Sequence, residues 1–294
     1  MRRLLLAIPF VLAACSSNKD PFAGGGDAGG SAGGDAAHAA DGGLFDAAPT
    51  HSCVAAPKRI VVIGDSITAC SVIGGPMAAN CVSKQFSDYV IAHYGPGATY
   101  ENYAVGGARI GDIAGQLANA PATMGPTLVM FFIGGNDLTP YLGQSDAAAM
   151  TGWTGTVEPA LQAMYDATFA TLADTAKFPG GATLLMNTQY NPFDDCSAPS
   201  AASPLSATKN AILGMFNDKI KMIASAHPQT AIVVDQHAPF LGHGLNYQGT
   251  ACPYYVANAT YYMQDLTHAN AAGNAVLAGV DNGGADRLYR DCTH

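Results

Sequence analysis

Charge is scarce in this chain, and basic charge is scarcest. Only 12% of its 294 residues are charged, with 13 Lys and Arg against 22 Asp and Glu, for a formal charge of -9. A chain so poor in basic residues has little long-range attraction for nucleic acid or for anionic lipid headgroups, which argues against both as charge-recognised partners. Metal-binding patterns are missing too. Seven cysteines are present, yet no two have C-x-x-C spacing and no H-E-x-x-H occurs, so neither a zinc site nor a redox dithiol is expected. The stretch Gly106-Gly107-Ala108-Arg109-Ile110-Gly111 departs from G-x-G-x-x-G, which argues against a dinucleotide site. No metal and no cofactor are expected. The apolar run over 4–14 is roughly eleven residues long and contains Pro9, well short of the ~20 that span a bilayer. There is no other transmembrane candidate and no internal repeat.

What the short apolar run does suit is export. It follows Arg2 and Arg3 and ends in Leu12-Ala13-Ala14-Cys15, which resembles the lipobox of bacterial lipoproteins. The resemblance implies a signal peptide over 1–14, cleavage before Cys15, and lipidation of that cysteine as the membrane anchor. Ser16 follows, not the Asp that retains many lipoproteins at the inner membrane, so outer-membrane anchoring is expected. Loss of Arg2 and Arg3 with the signal takes the charge from -9 to -11. Residues 15–51 are mostly Gly, Ala, Asp and Ser without hydrophobic periodicity, the composition of a flexible tether. A coil of that length spans about 30–35 Å.

Residues 52–294 suit one α/β domain, expected to act as a monomer. R-I-V-V-I over 59–63 reads as a buried strand that stops at Gly64, and T-L-V-M-F-F-I over 127–133 as the strongest strand in the chain. Further strands are expected over 99–105, 182–188 and 230–234. Helical spacing marks 82–93, 110–117, a long helix starting at Thr156 with Pro159 in its first turn, and a helix through Ile212, Phe216, Ile220 and Ile223. A last helix begins after Asn270 and is interrupted or ended at Asn282-Gly283-Gly284. Alternating strands and helices imply a three-layer α/β/α sandwich around a mostly parallel five-stranded sheet.

With Cys15 assigned to lipid, six cysteines remain, and an even number in an exported chain reads as a disulfide framework. Of fifteen possible pairings, Cys70–Cys81 is expected because the two bracket one loop. Cys196–Cys252 is expected because they lie in two loops at one sheet edge. Cys53–Cys292 is expected because they flank the domain's ends.

In such a sheet the strand ends carry the chemistry. Polar, glycine-rich turns follow the strands at Gly64-Asp65-Ser66, at 102–107, at Gly134-Gly135-Asn136-Asp137 and at Asp235-Gln236-His237, and Asp265-Leu266-Thr267-His268 comes late in the chain. An activated serine needs a base, a group that orients the base, and donors for the oxyanion, and every role has a candidate. Four of these blocks, in this order and spacing, resemble those of the SGNH, or GDSL-type, ester hydrolases. The resemblance implies a flavodoxin-like SGNH fold, with Ser66 as nucleophile, His268 as base and Asp265 orienting it. It also implies an oxyanion hole from the Ser66 and Gly107 backbone N–H groups and the Asn136 amide, with Gly106 an open alternative to Gly107. Ile67 and Ala269 depart from the family's common leucine and proline. His237 and His243 compete with His268 for the role of base, and Tyr141, Trp153, Tyr190, Phe193, Tyr254 and Tyr255 fall where they can line a cleft or simply pack.

The expected activity is hydrolysis of carboxylic esters through an acyl-enzyme on Ser66, as in an esterase or lipase. Substrate choice is expected to sit in the loops over 189–205 and 236–264. Two alternatives stay open: an O-acetylesterase acting on carbohydrate or peptidoglycan, and a cell-envelope binding lipoprotein that retains the fold without turnover.

Overall fold

The strand that begins the domain is apolar on both faces, and it becomes the sheet's interior. In the computed structural model, which describes residues 54–196 and 205–289, β1 (Arg59–Gly64) is buried along its whole length. It is followed by α1 (Ser66–Ala69), α2 (Val82–His93), β2 (Thr99–Asn102), α3 (Ile113–Asn119), β3 (Thr127–Phe132), α4 (Gly135–Leu138) and α5 (Asp146–Gly152). Then come α6 (Glu158–Leu172), β4 (Ala182–Asn187), α7 (Ala207–Ala226), β5 (Ala231–Val234) and α8 (Ala271–Tyr289). The five strands form one sheet in the order β2-β1-β3-β4-β5, and every pairing is parallel. The signal segment, Cys15, the tether over 15–51 and the Cys53–Cys292 pairing lie outside the described residues.

Alternation along the strands sorts the core into two layers. Val61, Ile63, Val129, Phe131, Leu184 and Met186 face α3, α6 and α7. Ile60, Val62, Leu128, Met130, Leu185 and Ile232 face α2 and α8 on the opposite side. Successive side chains of a strand point to opposite faces, so strands apolar at every position require helices on both. The result is the expected three-layer sandwich, with all strand ends opening on one edge. Among the described residues no helix is long and apolar enough to cross a membrane.

Four local expectations need correction. β2 ends at Asn102 instead of running to Val105, because the Asn102 Oδ1 accepts the Ala104 N–H at 2.9 Å and turns the chain out of the sheet. The helix over 110–117 opens as a 3-10 turn at Ile110–Asp112 before α3 begins. The long helix does not start at Thr156: helical structure begins at α5, capped by the Ser145 hydroxyl, and passes through a π-turn at Trp153–Val157 into α6. A widened turn there accommodates Pro159, which has no N–H and would crowd the carbonyl four residues back in a regular helix.

The fourth correction concerns α8, which runs unbroken through Asn282, Gly283 and Gly284. A Cβ on Gly284 would lie 2.5 Å from Val234 Cγ1 and 2.9 Å from Leu185 Cδ1. That glycine marks close approach of helix to sheet, not a helix end.

Among the described residues, two disulfides tie this edge together. Cys70 bonds Cys81, linking the end of α1 to the start of α2, and Cys196 bonds Cys252. Closing the shorter loop restricts the unfolded chain and contributes about 3 kcal/mol in the chain-entropy picture.

Candidate active site

The end of β1 is where the backbone is most constrained. Gly64 has φ +144°, and a Cβ there would meet the Phe132 carbonyl oxygen at 2.2 Å and Thr68 Oγ1 at 2.6 Å, so only glycine fits. The buried amide of Gln116, on α3, holds Gly64 from the side: Oε1 accepts its N–H at 2.7 Å and Nε2 donates to its carbonyl at 2.8 Å. Sequence reasoning missed Gln116, since nothing local distinguishes it from any other polar residue on a helix. Asp65 then caps α1, its Oδ1 accepting the Ile67 N–H at 2.9 Å, and Ser66 is the helix's first residue.

Ser66 meets residues that are far away in sequence. His268 Nε2 lies 2.9 Å from Ser66 Oγ, and His268 Nδ1 lies 2.8 Å from Asp265 Oδ2. Asp265 Oδ1 also accepts the backbone N–H groups of Thr267 at 2.7 Å and His268 at 2.8 Å. Burial pulls the Asp265 carboxyl upward, but the hydrogen bonds from the His268 backbone and imidazole and from the Thr267 backbone outweigh it. The group is held below the usual carboxylate range. An ionised Asp265 can only accept, so Nδ1 of a neutral ring carries the hydrogen and Nε2 presents a lone pair to the Ser66 hydroxyl.

Ala269 costs the His268 turn nothing visible. The segment is closed by the antiparallel bridge between Met263 and Ala269 and by the Gln264 N–H donating to the His268 carbonyl at 2.7 Å. Asn270 donates to the Tyr261 carbonyl at 2.8 Å and accepts the Gly273 N–H at 3.0 Å, fixing the loop to the start of α8. The competing histidines stand elsewhere. His237 pairs with Asp195 at 2.9 Å, and the His243 ring stacks on Tyr262.

Candidate oxyanion donors stand at the glycine pair and at Asn136, which lines one cleft with Ser66. Gly107 has φ +79° with open space where a Cβ would stand, while a Cβ on Gly106 would meet Ser71 Oγ at 2.8 Å. Among the described residues the Ser66 and Gly107 N–H groups have no protein acceptor. Asn136, in the first turn of α4, donates from Nδ2 to the Ala108 carbonyl at 2.9 Å and has a second amide hydrogen to offer.

Two further carboxylates sit behind the serine. Burial raises Asp65 to about 7, against its Ile67 hydrogen bond and with a smaller push from Asp137. Burial also raises Asp137, whose Oδ2 accepts the Ile110 N–H at 3.0 Å. Among the described residues no group of three or more His, Cys, Asp or Glu side chains is placed to hold a metal ion.

A cleft of about 120 Å³ opens beside Ser66. Tyr141, Tyr190 and Phe193 line it, whereas Trp153 is buried against Phe216, and Tyr254 and Tyr255 are exposed away from it.

Residues 62–276, which include all of these groups, match the model of the GDSL-like Lipase/Acylhydrolase family. The chain belongs to that family. It is a carboxylic ester hydrolase, on a sheet that solved structures of ester hydrolases share. One is an extracellular lipase from Streptomyces rimosus, at 20% identity and a TM-score of 0.50, covering 77% of this chain and 99% of that one. A phospholipase A1 from Streptomyces albidoflavus is 19% identical with a TM-score of 0.50, covering 78% and 100%. An acetylxylan esterase from Geobacillus stearothermophilus is 17% identical with a TM-score of 0.50, covering 79% and 97%. At such identities the likeness is one of fold. No curated protein sequence matches the chain.

Proposed function

We propose that this hydrolase works through an acyl-enzyme on Ser66. The observation that carries the reading is the pair of hydrogen bonds made by one imidazole, to Ser66 Oγ at 2.9 Å and to Asp265 Oδ2 at 2.8 Å. His268 Nε2 takes the Ser66 proton as Oγ bonds to the ester carbonyl carbon. Asp265 holds the tautomer and stabilises the imidazolium. The carbonyl oxygen becomes an oxyanion, accepting hydrogen bonds from the Ser66 and Gly107 backbone and from Asn136. When the tetrahedral centre collapses, the C–O bond to the alcohol breaks and the alcohol oxygen takes the proton from Nε2. Water then attacks the acyl-Ser66 ester, giving its proton to His268, and the second collapse releases the carboxylic acid and restores the serine.

The same proposal includes where this happens. The enzyme acts as a monomer in this reading, and Leu12 to Cys15 with the stretch after it support lipid anchoring at Cys15 to the cell envelope, in the outer membrane. Cys15→Ser should abolish lipid attachment while leaving ester hydrolysis by the domain intact.

Kinetics of purified Ser66→Ala and His268→Ala against chromogenic esters test the chemistry. Both should fall to near background, because a serine hydroxyl without its base is a weak nucleophile at neutral pH. Full turnover by Ser66→Ala would remove the mechanism.

A further inference from the structure

The tetrahedral centre on Ser66 has four directions, and three have been assigned: Oγ, the oxyanion beside Asn136 and Gly107, and the leaving alcohol beside His268 Nε2. The fourth is the acyl chain. Among the described residues, His268 lines a narrow crevice with Val72, Ile73 and Asn274, of about 10 Å³. The 120 Å³ cleft begins instead at Asp65, Ser66, Ile67 and Asn136 and runs between α5 and α7, without His268 in its wall. A leaving oxygen has to lie within hydrogen-bond reach of the group that protonates it. The alcohol therefore departs on the crevice side and the chain points into the cleft.

The lining of that cleft is apolar in effect even where its residues are polar. Leu138, Leu142, Ala149, Phe193, Ile212 and Leu213 supply hydrocarbon. Four of the polar side chains between them are engaged by the protein's own backbone. Gln189 Nε2 donates to the Ile133 carbonyl at 2.7 Å, Thr139 Oγ1 to the Gly135 carbonyl at 2.9 Å, Tyr190 to the Thr267 carbonyl at 2.6 Å, and Lys209 Nζ to the Leu142 carbonyl at 2.6 Å. A hydrocarbon chain needs no hydrogen-bond partners, which suits it to a wall of this kind.

Size sets the rest. A dry cavity of about 150 Å³ accepts benzene, so about 120 Å³ suits a chain of four to six carbons. Resting on the reading of Ser66 as nucleophile, we infer that this cleft is an acyl-chain site selecting esters of acids of about four to six carbons over acetate. Ala149, fully buried on α5, and Leu142, half-buried beyond α4, set its length.

The test is kcat/KM of the parent, Ala149→Leu and Leu142→Ala on 4-nitrophenyl esters from acetate to dodecanoate. Each protein is also labelled at Ser66 with a small organophosphonate. In the parent, kcat/KM should rise about fourfold per added methylene and stop near hexanoate, the scale set by burying one CH2. Ala149→Leu should move the maximum to shorter chains and Leu142→Ala to longer ones. A profile that falls from acetate onward, or a maximum that neither variant moves, overturns the acyl-site assignment while normal labelling leaves the nucleophile in place. An unlabelled parent instead removes the mechanism on which the assignment stands. Should Ala149→Leu fail to fold, the Leu142→Ala shift alone decides.

Discussion

Asn136 donates one amide hydrogen to the Ala108 carbonyl at 2.9 Å, so its amide plane is fixed before any substrate arrives. An oxyanion donor acts by being aimed in advance, without reorganising as charge develops. Asn136→Ala should lower kcat by about 100- to 1,000-fold, the scale of one lost donor, with a small change in KM. It also leaves the buried Ala108 carbonyl without its side-chain partner, so stability should drop by about 1–3 kcal/mol. Steady-state kinetics and denaturant unfolding measure the two effects separately; unchanged kcat would exclude Asn136 from the oxyanion hole.

Asp65, buried beside the serine, makes a different kind of prediction. Its folded pKa of about 7 lies above the unfolded value near 4, so the native state binds the proton more tightly. Stability from this group is greatest below the unfolded value and is lost as pH rises through about 7. Asp65→Asn keeps an oxygen to accept the Ile67 N–H but cannot ionise. Between pH 5 and 8 the parent should lose on the order of 3 kcal/mol relative to this variant. Denaturant unfolding of both proteins at the two pH values measures the difference, and parallel losses would contradict the buried-carboxyl account.

The adjacent glycines of α8 separate helix propensity from packing. Alanine is favoured over glycine inside a helix by about 1 kcal/mol. At Gly283 a Cβ meets nothing within 4 Å, so Gly283→Ala should stabilise by up to about that amount. At Gly284 the added methyl collides with Val234 and Leu185, and overpacking of about 1–3 kcal/mol should outweigh the propensity gain. Thermal unfolding should therefore move in opposite directions for the two variants. Stabilisation by Gly284→Ala would mean that α8 can lift off the sheet at little cost.

These positions also show how far the residues alone could be read. Strands such as 127–132 are legible because a short β-rich apolar run has few other fates, and five of them between periodic helices imply the layers. Ser66, Asp265 and His268 stand in blocks that resemble those of the family, and the fold brings the three side chains together. Gly283-Gly284 reads as an interruption or end of the helix because the sequence does not reveal the Leu185 side chain across the interface. Asn102 turned the chain early through its own side chain, an alternative that strand periodicity does not register. Gln116 and the raised pKa of Asp65 depend on burial and on partners distant in sequence.

The most direct test of the central claim is intact mass and peptide mapping after incubation with an organophosphonate. The account predicts one adduct per chain, located on Ser66, formed at a much reduced rate in His268→Ala and absent in Ser66→Ala. A fully active parent that remains unlabelled, or an adduct on any residue other than Ser66, would contradict it.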